Sequence, residues 1–446
     1  MVGLSPALEP LYSAAEMRAA EEGHDVAELM ERAGAAVARE VLQRHPEASR
    51  IAVVCGSGAN GGDGRIAARI LREEGRDAVE TTAVEQADVI VDALFGTGFR
   101  GPPREEAAAT IERINAAAAP VVSIDVPSGV DASTGEVAGP AVRAELTVSF
   151  HGCKAGLVVA PGLFHAGEVV IADIGLEPAE TELRLVPHSI LSLVPRKRPE
   201  DNKYTAGSVL VAGGAPGLTG AACLAAAAAF RADAGYVVVA VPEASLPIVE
   251  TRLLEPVKVT WAGARDAAAK ARTLAIGPGL GRSAEARDLR AGLLTAGDHT
   301  LVLDADGLHE LEPGDWGARA VLTPHAGELG RLLGERSDWV AGHRLEAARR
   351  CAERFGAVCL LKGADTIVAT PAGPTLVCVA DAPALATAGT GDVLTGVVAA
   401  FLAKGLEPSL AAAAAATAHA LAARSYGRRP GLIASDLVAA LPSVLG

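Results

Sequence analysis

Apolar positions along the first 175 residues follow two different spacings. Residues 13–45 repeat them at helical intervals, with Met17, Ala20, Leu29, Ala33, Val37 and Val41 on one stripe. Short, almost continuous apolar runs come next: Arg50–Val54, Asp88–Asp92, Pro120–Asp125, Leu146–Phe150 and Val169–Ala172. Between them, Gly62–Glu74 and Glu105–Asn115 read as helices. Runs of Val and Ile separated by helices predict a mostly parallel sheet covered on both faces. In such a sheet, ligands sit at the carboxyl ends of the strands.

The pattern restarts after Pro195–Lys203 (PRKRPEDNK), a charged, proline-bearing stretch with the character of a linker. Short strands are expected at Ser208–Val211, Val237–Val241, Leu274–Ile276, Thr300–Leu303, Ala320–Leu322 and Val358–Leu361. Ala-rich helices such as Ala411–Ala423 lie between or after them. Two different α/β domains are expected, residues 1–185 and 186–446. A length of 446 residues agrees with two or three domains.

Composition narrows the function. Lys and Arg total 40 and Asp and Glu 54, a net charge of −14, whereas a nucleic-acid binder needs a basic footprint. Only 3% of residues are aromatic, too few for base-stacking platforms. The six cysteines form no C-x-x-C pair, so a zinc ribbon is not expected and reduced thiols in the cytoplasm are. The opening MVGLSPALEP lacks the basic and apolar regions of a signal peptide. Leu218–Phe230 is too short to span a bilayer, and Ala382–Ala403 carries Asp392 and several glycines. A soluble protein without a membrane partner is expected.

Candidate chemistry clusters at the strand ends. The first strand runs into GSGANGGDG (Gly56–Gly64), whose Gly61, Gly62 and Gly64 would bring backbone N–H groups to a ligand at a helix N-terminus. On its own this is a weak G-x-G-x-x-G match, and the alternative is a generic strand-to-helix turn, against which the excess of glycines argues. Asn60 and Asp63 add side-chain contacts. The next strand ends at Asp92 before ALFGTGFRGP, and the third ends at Asp125 before VPSG. Three polar strand ends in succession point to one shared crevice. In the second half, AGTGDVLTG (Ala388–Gly396) places Asp392 at the start of an apolar helix. The N–H groups of Gly391, Asp392 and Val393 would form an anion hole, and the carboxylate could accept a proton from an attacking hydroxyl. The alternative is that Asp392 only caps its helix.

LMERAG (Leu29–Gly34), GSGANGGDG, DALFGTG and DVPSG together resemble the NAD(P)H-hydrate epimerase domain over about the first 175 residues. The resemblance implies a Rossmann-like three-layer domain in which Asn60, Asp92 and Ser128 hold potassium. It implies dinucleotide contacts at Ala59, Asn60, Gly61, Gly62 and Asp63, at Gly96, Thr97, Gly98, Phe99, Arg100, Gly101 and Pro102, and at Asp125. Ala59 stands where the family has a second asparagine. Inverting a hydroxyl-bearing carbon beside nitrogen needs a positioned proton donor and acceptor. Asp125 is the candidate acid/base and Lys154, in FHGCKAGL, its candidate partner; a solvated surface lysine is the equal alternative.

From residue 186 onward, VAGGAPGLTGAA, AIGPGLG, VLDADGL, LTPHAGE, LLKGADT, AGTGD and ASDL occur in the order of the ADP-dependent NAD(P)H-hydrate dehydratases, which have a ribokinase-like α/β fold. That resemblance implies hydrate contacts at Ala221, Gly279, His325 and Asp392. It places ADP against Lys362, Gly363, Ala364, Asp365, Thr366 and Gly391, with Asp392 as the base. Glu328 follows His325 as in the N-x-x-E element that positions magnesium in related kinases; a first-turn glutamate favoured by the helix dipole explains it equally well. Asp304 and Asp306 are either loop caps or part of the phosphate surroundings.

Both resemblances together imply a nicotinamide-repair enzyme with two activities. Its substrates would be hydrated NADH and NADPH (NADHX and NADPHX) and ADP, its ions potassium and magnesium, and its assembly a homo-oligomer. A small-molecule kinase of the ribokinase-like group would share the anion hole and base, without explaining the first domain. A first domain that is only a binding scaffold is the other alternative.

Overall fold

The computed structural model describes residues 8–314, 316, 319–427 and 430–446; residues 1–7, on which the leader expectation bears, lie outside it. The chain divides into two compact units. One comprises Pro10–Arg184 with Ala341–Arg344, the other Leu185–Val340 and Leu345–Gly446 with residues 8–9.

In the first unit the expected helix over residues 13–45 is two helices, α1 (Ala14–Glu21) and α2 (Val26–Arg44). Gly23, at φ 85°, turns the chain between them. Asp25 then restarts the helix by accepting from the Ala27 and Glu28 N–H groups. A sheet follows with β1 (Arg50–Cys55), α3 (Ala59–Glu73), β2 (Asp77–Glu80), β3 (Val89–Ala93), α4 (Glu105–Ala116), β4 (Val121–Ile124), β5 (Leu146–Phe150) and β6 (Glu168–Ala172). Its order is β2-β1-β3-β4-β5-β6, and every pairing is parallel. The chain reverses its winding between β1 and β3, which opens a crevice at their carboxyl ends. Strand β2 escapes the sequence pattern because this edge strand alternates, with only Ala78 buried.

In the second unit the strands are β7 (Ser208–Ala212), β8 (Tyr236–Val241), β9 (Val257–Thr260), β10 (Thr273–Ile276), β11 (Thr300–Leu303), β12 (Ala320–Leu322), β13 (Val358–Leu361), β14 (Asp365–Ala369) and β15 (Thr375–Val379). They run in the order β15-β14-β13-β12-β11-β10-β7-β8-β9. Pairing is parallel except where β14 meets β13 and β15. Helices α5 (Thr219–Arg231), α6 (Ala326–Leu333), α7 (Thr390–Ala403), α8 (Pro408–Ser425) and α9 (Ala434–Leu445) include the Ala-rich segments. Small side chains let these helices pack tightly. A Cβ at Gly396 of α7 would lie 2.1 Å from the Ala225 carbonyl of α5. Among the described residues no helix is long and apolar enough to cross a membrane.

Candidate functional sites

The glycines after β1 do more than line a loop. Helix α3 begins at Ala59, so Asn60, Gly61 and Gly62 belong to its first turn and not to a preceding loop. A Cβ at Gly61 would sit 1.9 Å from the Gly56 carbonyl, and one at Gly64 would sit 2.5 Å from Ala93 Cβ. Absence of side chains therefore seats α3 directly on the ends of β1 and β3, and this carries Asn60 and Asp63 into the crevice.

There a cavity of about 650 Å³ opens. Its wall includes Ala59, Asn60, Asp63, Asp125 and Lys154, together with Gly96, Thr97, Gly98, Phe99 and Arg100. Gly61, Gly62, Gly101 and Pro102, also expected at the substrate, are not part of that wall. Lys154 is fully buried, which overturns the surface-lysine alternative. Its Nζ lies 2.8 Å from Asp125 Oδ1 and donates to Ser149 Oγ at 3.0 Å and to the Phe150 carbonyl at 2.6 Å. Asp125 Oδ2 accepts from the Thr97 N–H at 2.9 Å and from the Thr97 hydroxyl. Burial alone would raise the Asp125 pKa, but the Lys154 charge and these donors outweigh it and hold the carboxyl below its ordinary value.

Asp92, Ser128 and Asn60 meet around the Phe95 backbone. Asp92 is fully buried and accepts from Ser123 Oγ, Ser128 N and Ser128 Oγ at 2.9, 2.9 and 2.6 Å. Asn60 Nδ2 donates to the Phe95 carbonyl at 3.0 Å, and Phe95 N–H donates to Ser128 Oγ at 2.9 Å. Burial pushes the Asp92 pKa up against the Ser128 and Ser123 donors. Among the described residues no group of three or more His, Cys, Asp or Glu could hold a metal. The donors here are one carboxylate with amide, hydroxyl and carbonyl oxygens. That set suits a weakly charged, oxygen-seeking cation, and its buried anion has no cationic side chain among the hydrogen-bond partners just named.

In the second unit the winding reverses between β7 and β10, where two glycine loops meet. Ala215 N–H donates to the Gly279 carbonyl at 2.7 Å. A Cβ at Gly279 (φ 60°) would lie 2.3 Å from the Leu218 carbonyl and 3.1 Å from Ala221 Cβ, so the two expected hydrate contacts, Ala221 and Gly279, are neighbours.

Asp304 is the hub of this site. It is 2% exposed and accepts from Thr323 Oγ1 at 2.9 Å, Thr395 Oγ1 at 2.8 Å and Lys362 Nζ at 2.8 Å. Asp306 instead caps the Gly281 N–H and pairs with Arg282. Burial would lower the Lys362 pKa, but the charges of Asp304 and Glu328 raise it overall. Asp392 stands in the first turn of α7, whose N-cap Gly389 has φ 89°. Burial, then repulsion from Asp304, pushes its pKa up to about 7 despite Lys362. The expected three-donor anion hole is reduced, because Val393 N–H already donates to the Gly389 carbonyl at 3.3 Å. Gly391 and Asp392 are left to form it.

His325 and Glu328 form a reciprocal cap on α6. Gly327 N–H donates to His325 Nδ1 at 3.0 Å, and His325 N–H donates to Glu328 Oε2 at 2.9 Å. This gives the helix-end reading of Glu328 a physical basis, while its carboxylate also lies 3.8 Å from Lys362 Nζ. Gly363 and Thr366 line a narrow cavity with His188, Leu394, Thr417 and His419. Asp365 is buried on β14, a strand the sequence pattern missed.

A parallel Rossmann-like sheet with an acid–lysine cavity, and a ribokinase-like sheet with an aspartate at a helix N-terminus, define a two-domain α/β enzyme acting on a nucleotide. The NAD(P)H-hydrate dehydratase family model matches residues 209–442, and the model of the YjeF-related protein N-terminus matches 26–86 and 76–156. The bifunctional NAD(P)H-hydrate repair enzyme of Moorella thermoacetica is 38% identical, over 94% of this chain and 92% of its own. That of Pyrobaculum aerophilum is 38% identical, over 94% and 93%. Among solved structures, the ADP/ATP-dependent NAD(P)H-hydrate dehydratase of Bacillus subtilis, co-crystallised with ATP/Mg2+, is 30% identical with a TM-score of 0.52, covering 57% of this chain and 94% of that one. A ribokinase-like superfamily protein of Enterococcus faecalis shares the fold at a TM-score of 0.55 and 23% identity, over 60% and 97%. The chain belongs to the bifunctional NAD(P)H-hydrate repair enzyme family. The kinase-only alternative falls with that finding.

Proposed function

We propose that this chain returns hydrated NADH and NADPH to their reduced forms: its first domain interconverts the R and S hydrates, and its second dehydrates the S form. The second step uses ADP and releases AMP and phosphate. We assign these steps to residues 1–185 and 186–446. The observation that carries the reading is the presence, in one chain, of the buried Asp125–Lys154 pair and the Asp392–Asp304–Lys362 cluster, each at a winding reversal of its own sheet.

In the first domain the hydrate lies along Ala59, Asn60 and Asp63 and along Gly96, Thr97, Gly98, Phe99 and Arg100, and Asp125 moves the proton that lets the hydroxyl-bearing carbon invert. Lys154 and Thr97 keep Asp125 ionised and oriented. Asn60, Asp92 and Ser128 hold potassium, which supplies fixed positive charge and no redox chemistry.

In the second domain the hydrate meets Ala221, Gly279 and His325. Asp392 takes the hydroxyl proton as that oxygen attacks the terminal phosphorus of ADP. A base with a pKa near 7 suits this transfer at neutral pH. Gly391 and Lys362 face the phosphates, and Gly363, Ala364, Asp365 and Thr366 hold the remainder of the nucleotide. The phosphorylated oxygen then leaves as phosphate, and loss of the neighbouring ring proton restores the double bond. Glu328 holds magnesium, which supplies charge neutralisation at the phosphates. Six cysteines with no C-x-x-C pair among them support a cytoplasmic setting. We read the assembly as a homo-oligomer, as the family resemblance implies.

The test mixes the purified chain with both NADH-hydrate epimers, magnesium and potassium, and follows recovery of reduced-nicotinamide absorbance with ADP, ATP or neither. Complete recovery with ADP is expected. Recovery that stops after one epimer removes the epimerase, and no recovery with either nucleotide removes the dehydratase.

A further inference from the structure

The epimerase cavity holds a second carboxylate, Asp63, with no step of its own in the mechanism above. Asp63 sits beyond the capping positions of α3 and is 8% exposed. Its Oδ1 is buried without a hydrogen-bond partner among the described residues. It lines the same cavity as Asp125 and Lys154. A buried, unbonded carboxylate oxygen destabilises a fold, so a purely structural role does not explain it. Asp125 is the opposite case: both of its oxygens are bonded.

We propose that Asp63 is a catalytic residue of the epimerase, transferring a proton to and from the hydrate's hydroxyl from α3 while Asp125 does so from the end of β4. The inference rests on the epimerase reading above. The electrostatics agree with it. Burial, then repulsion from Asp125 and Glu21, pushes Asp63 up to about 8, so it carries a proton at neutral pH while Asp125 is ionised. Two carboxyl groups held in opposite protonation states form an acid and base pair.

The step balances as follows. Protonated Asp63 gives its proton to the hydroxyl oxygen as the C–O bond breaks. The ring nitrogen's lone pair forms a C=N bond to the same carbon, and water departs. A second water, approaching from the Asp125 side, bonds to that carbon and gives a proton to Asp125. The C=N electron pair returns to nitrogen. One hydroxyl has left, one has arrived on the other face, and the two carboxyl groups have exchanged protonation states. Proton exchange with solvent water then returns Asp63 to its protonated form and Asp125 to its ionised form before the next turnover.

The test uses the full chain in 18O-water without ADP, which keeps the second domain silent. For Asp63→Asn, the epimerisation kcat is expected to fall about 100-fold or more, with KM held within a few-fold. Asp125→Asn is expected to keep 18O exchange into one epimer without inversion, because Asp63 still works on its own side. The double variant should lose that exchange. Inversion by Asp63→Asn at close to the parental rate overturns the proposal, as does exchange surviving in the double variant, or a rise in KM alone. Should Asp63→Asn lose everything, partial rescue of inversion by Asp63→Glu supports the proposal and no rescue overturns it. A parent chain that does not invert the hydrate would instead sink the epimerase reading.

Discussion

Lys154 Nζ lies 2.8 Å from Asp125 Oδ1, and the lysine has no exposed surface. Removing one partner of such a pair leaves an uncompensated buried charge. Lys154→Met is expected to lower unfolding stability by about 3–5 kcal/mol and to abolish epimer exchange. Chemical denaturation read on the first domain checks the first effect. The Asp125 carboxyl is held below its ordinary value, so its contribution is complete above the unfolded pKa and is lost as pH falls through the folded one. Parental stability should therefore drop on the acid side, and the Lys154→Met curve should drop less.

Asp92 is a buried acid among neutral donors, with burial working against its charge. Potassium bound beside it should stabilise the first domain by mass action, about 2.7 kcal/mol at 100 times its dissociation constant. Exchanging potassium for a bulky organic cation should lower the first domain's Tm and slow epimer exchange. Dehydration of pure S hydrate should not change. A Tm indifferent to potassium would remove the site from Asn60, Asp92 and Ser128.

Asp392 titrates near 7, well above its unfolded value. Only the ionised form is a base, so the dehydration kcat should rise with pH through about 7 and then level. Asp392→Asn should cost about 10²–10⁴-fold in that kcat while leaving epimer exchange intact. The linkage sign is opposite to that of Asp125. The folded state holds the proton more tightly, so this group's contribution weakens as pH climbs from about 4 to about 7. Asp392→Asn should therefore be at least as stable as the parent at neutral pH, which a thermal melt would check.

Asp304 gathers Lys362, Thr323 and Thr395. Lys362→Met is expected to raise KM for ADP by about 10- to 150-fold, in line with losing a charged hydrogen bond of about 1.5–3 kcal/mol. KM for the S hydrate should move far less. An equal rise in both would mean that Lys362 shapes the whole site and does not face the nucleotide. The Lys362 pKa is raised, so its contribution to stability stays complete below the unfolded lysine pKa and is lost only as pH rises through the folded one.

The sequence by itself determined the two α/β domains, the parallel strands and the family. Buried strands announce themselves as local apolar runs, and GSGANGGDG, DVPSG and AGTGD sit directly at strand or helix ends. What is not local had to wait for the tertiary structure. FHGCKAGL gives no sign that Lys154 is buried, because its burial and its partner come from strand ends and loops distant in the chain. The Asp304 hub joins residues 304, 323, 362 and 395, four positions that no window of sequence brings together. Glu328 reads equally as a helix-end residue or a metal ligand until the His325 cap is seen. The contrast between Asp63 and Asp125 was also decided by tertiary structure: both end up in one cavity, but Lys154 and Thr97 reach only Asp125, and proximity to a counter-charge is a property of packing, not of sequence spacing.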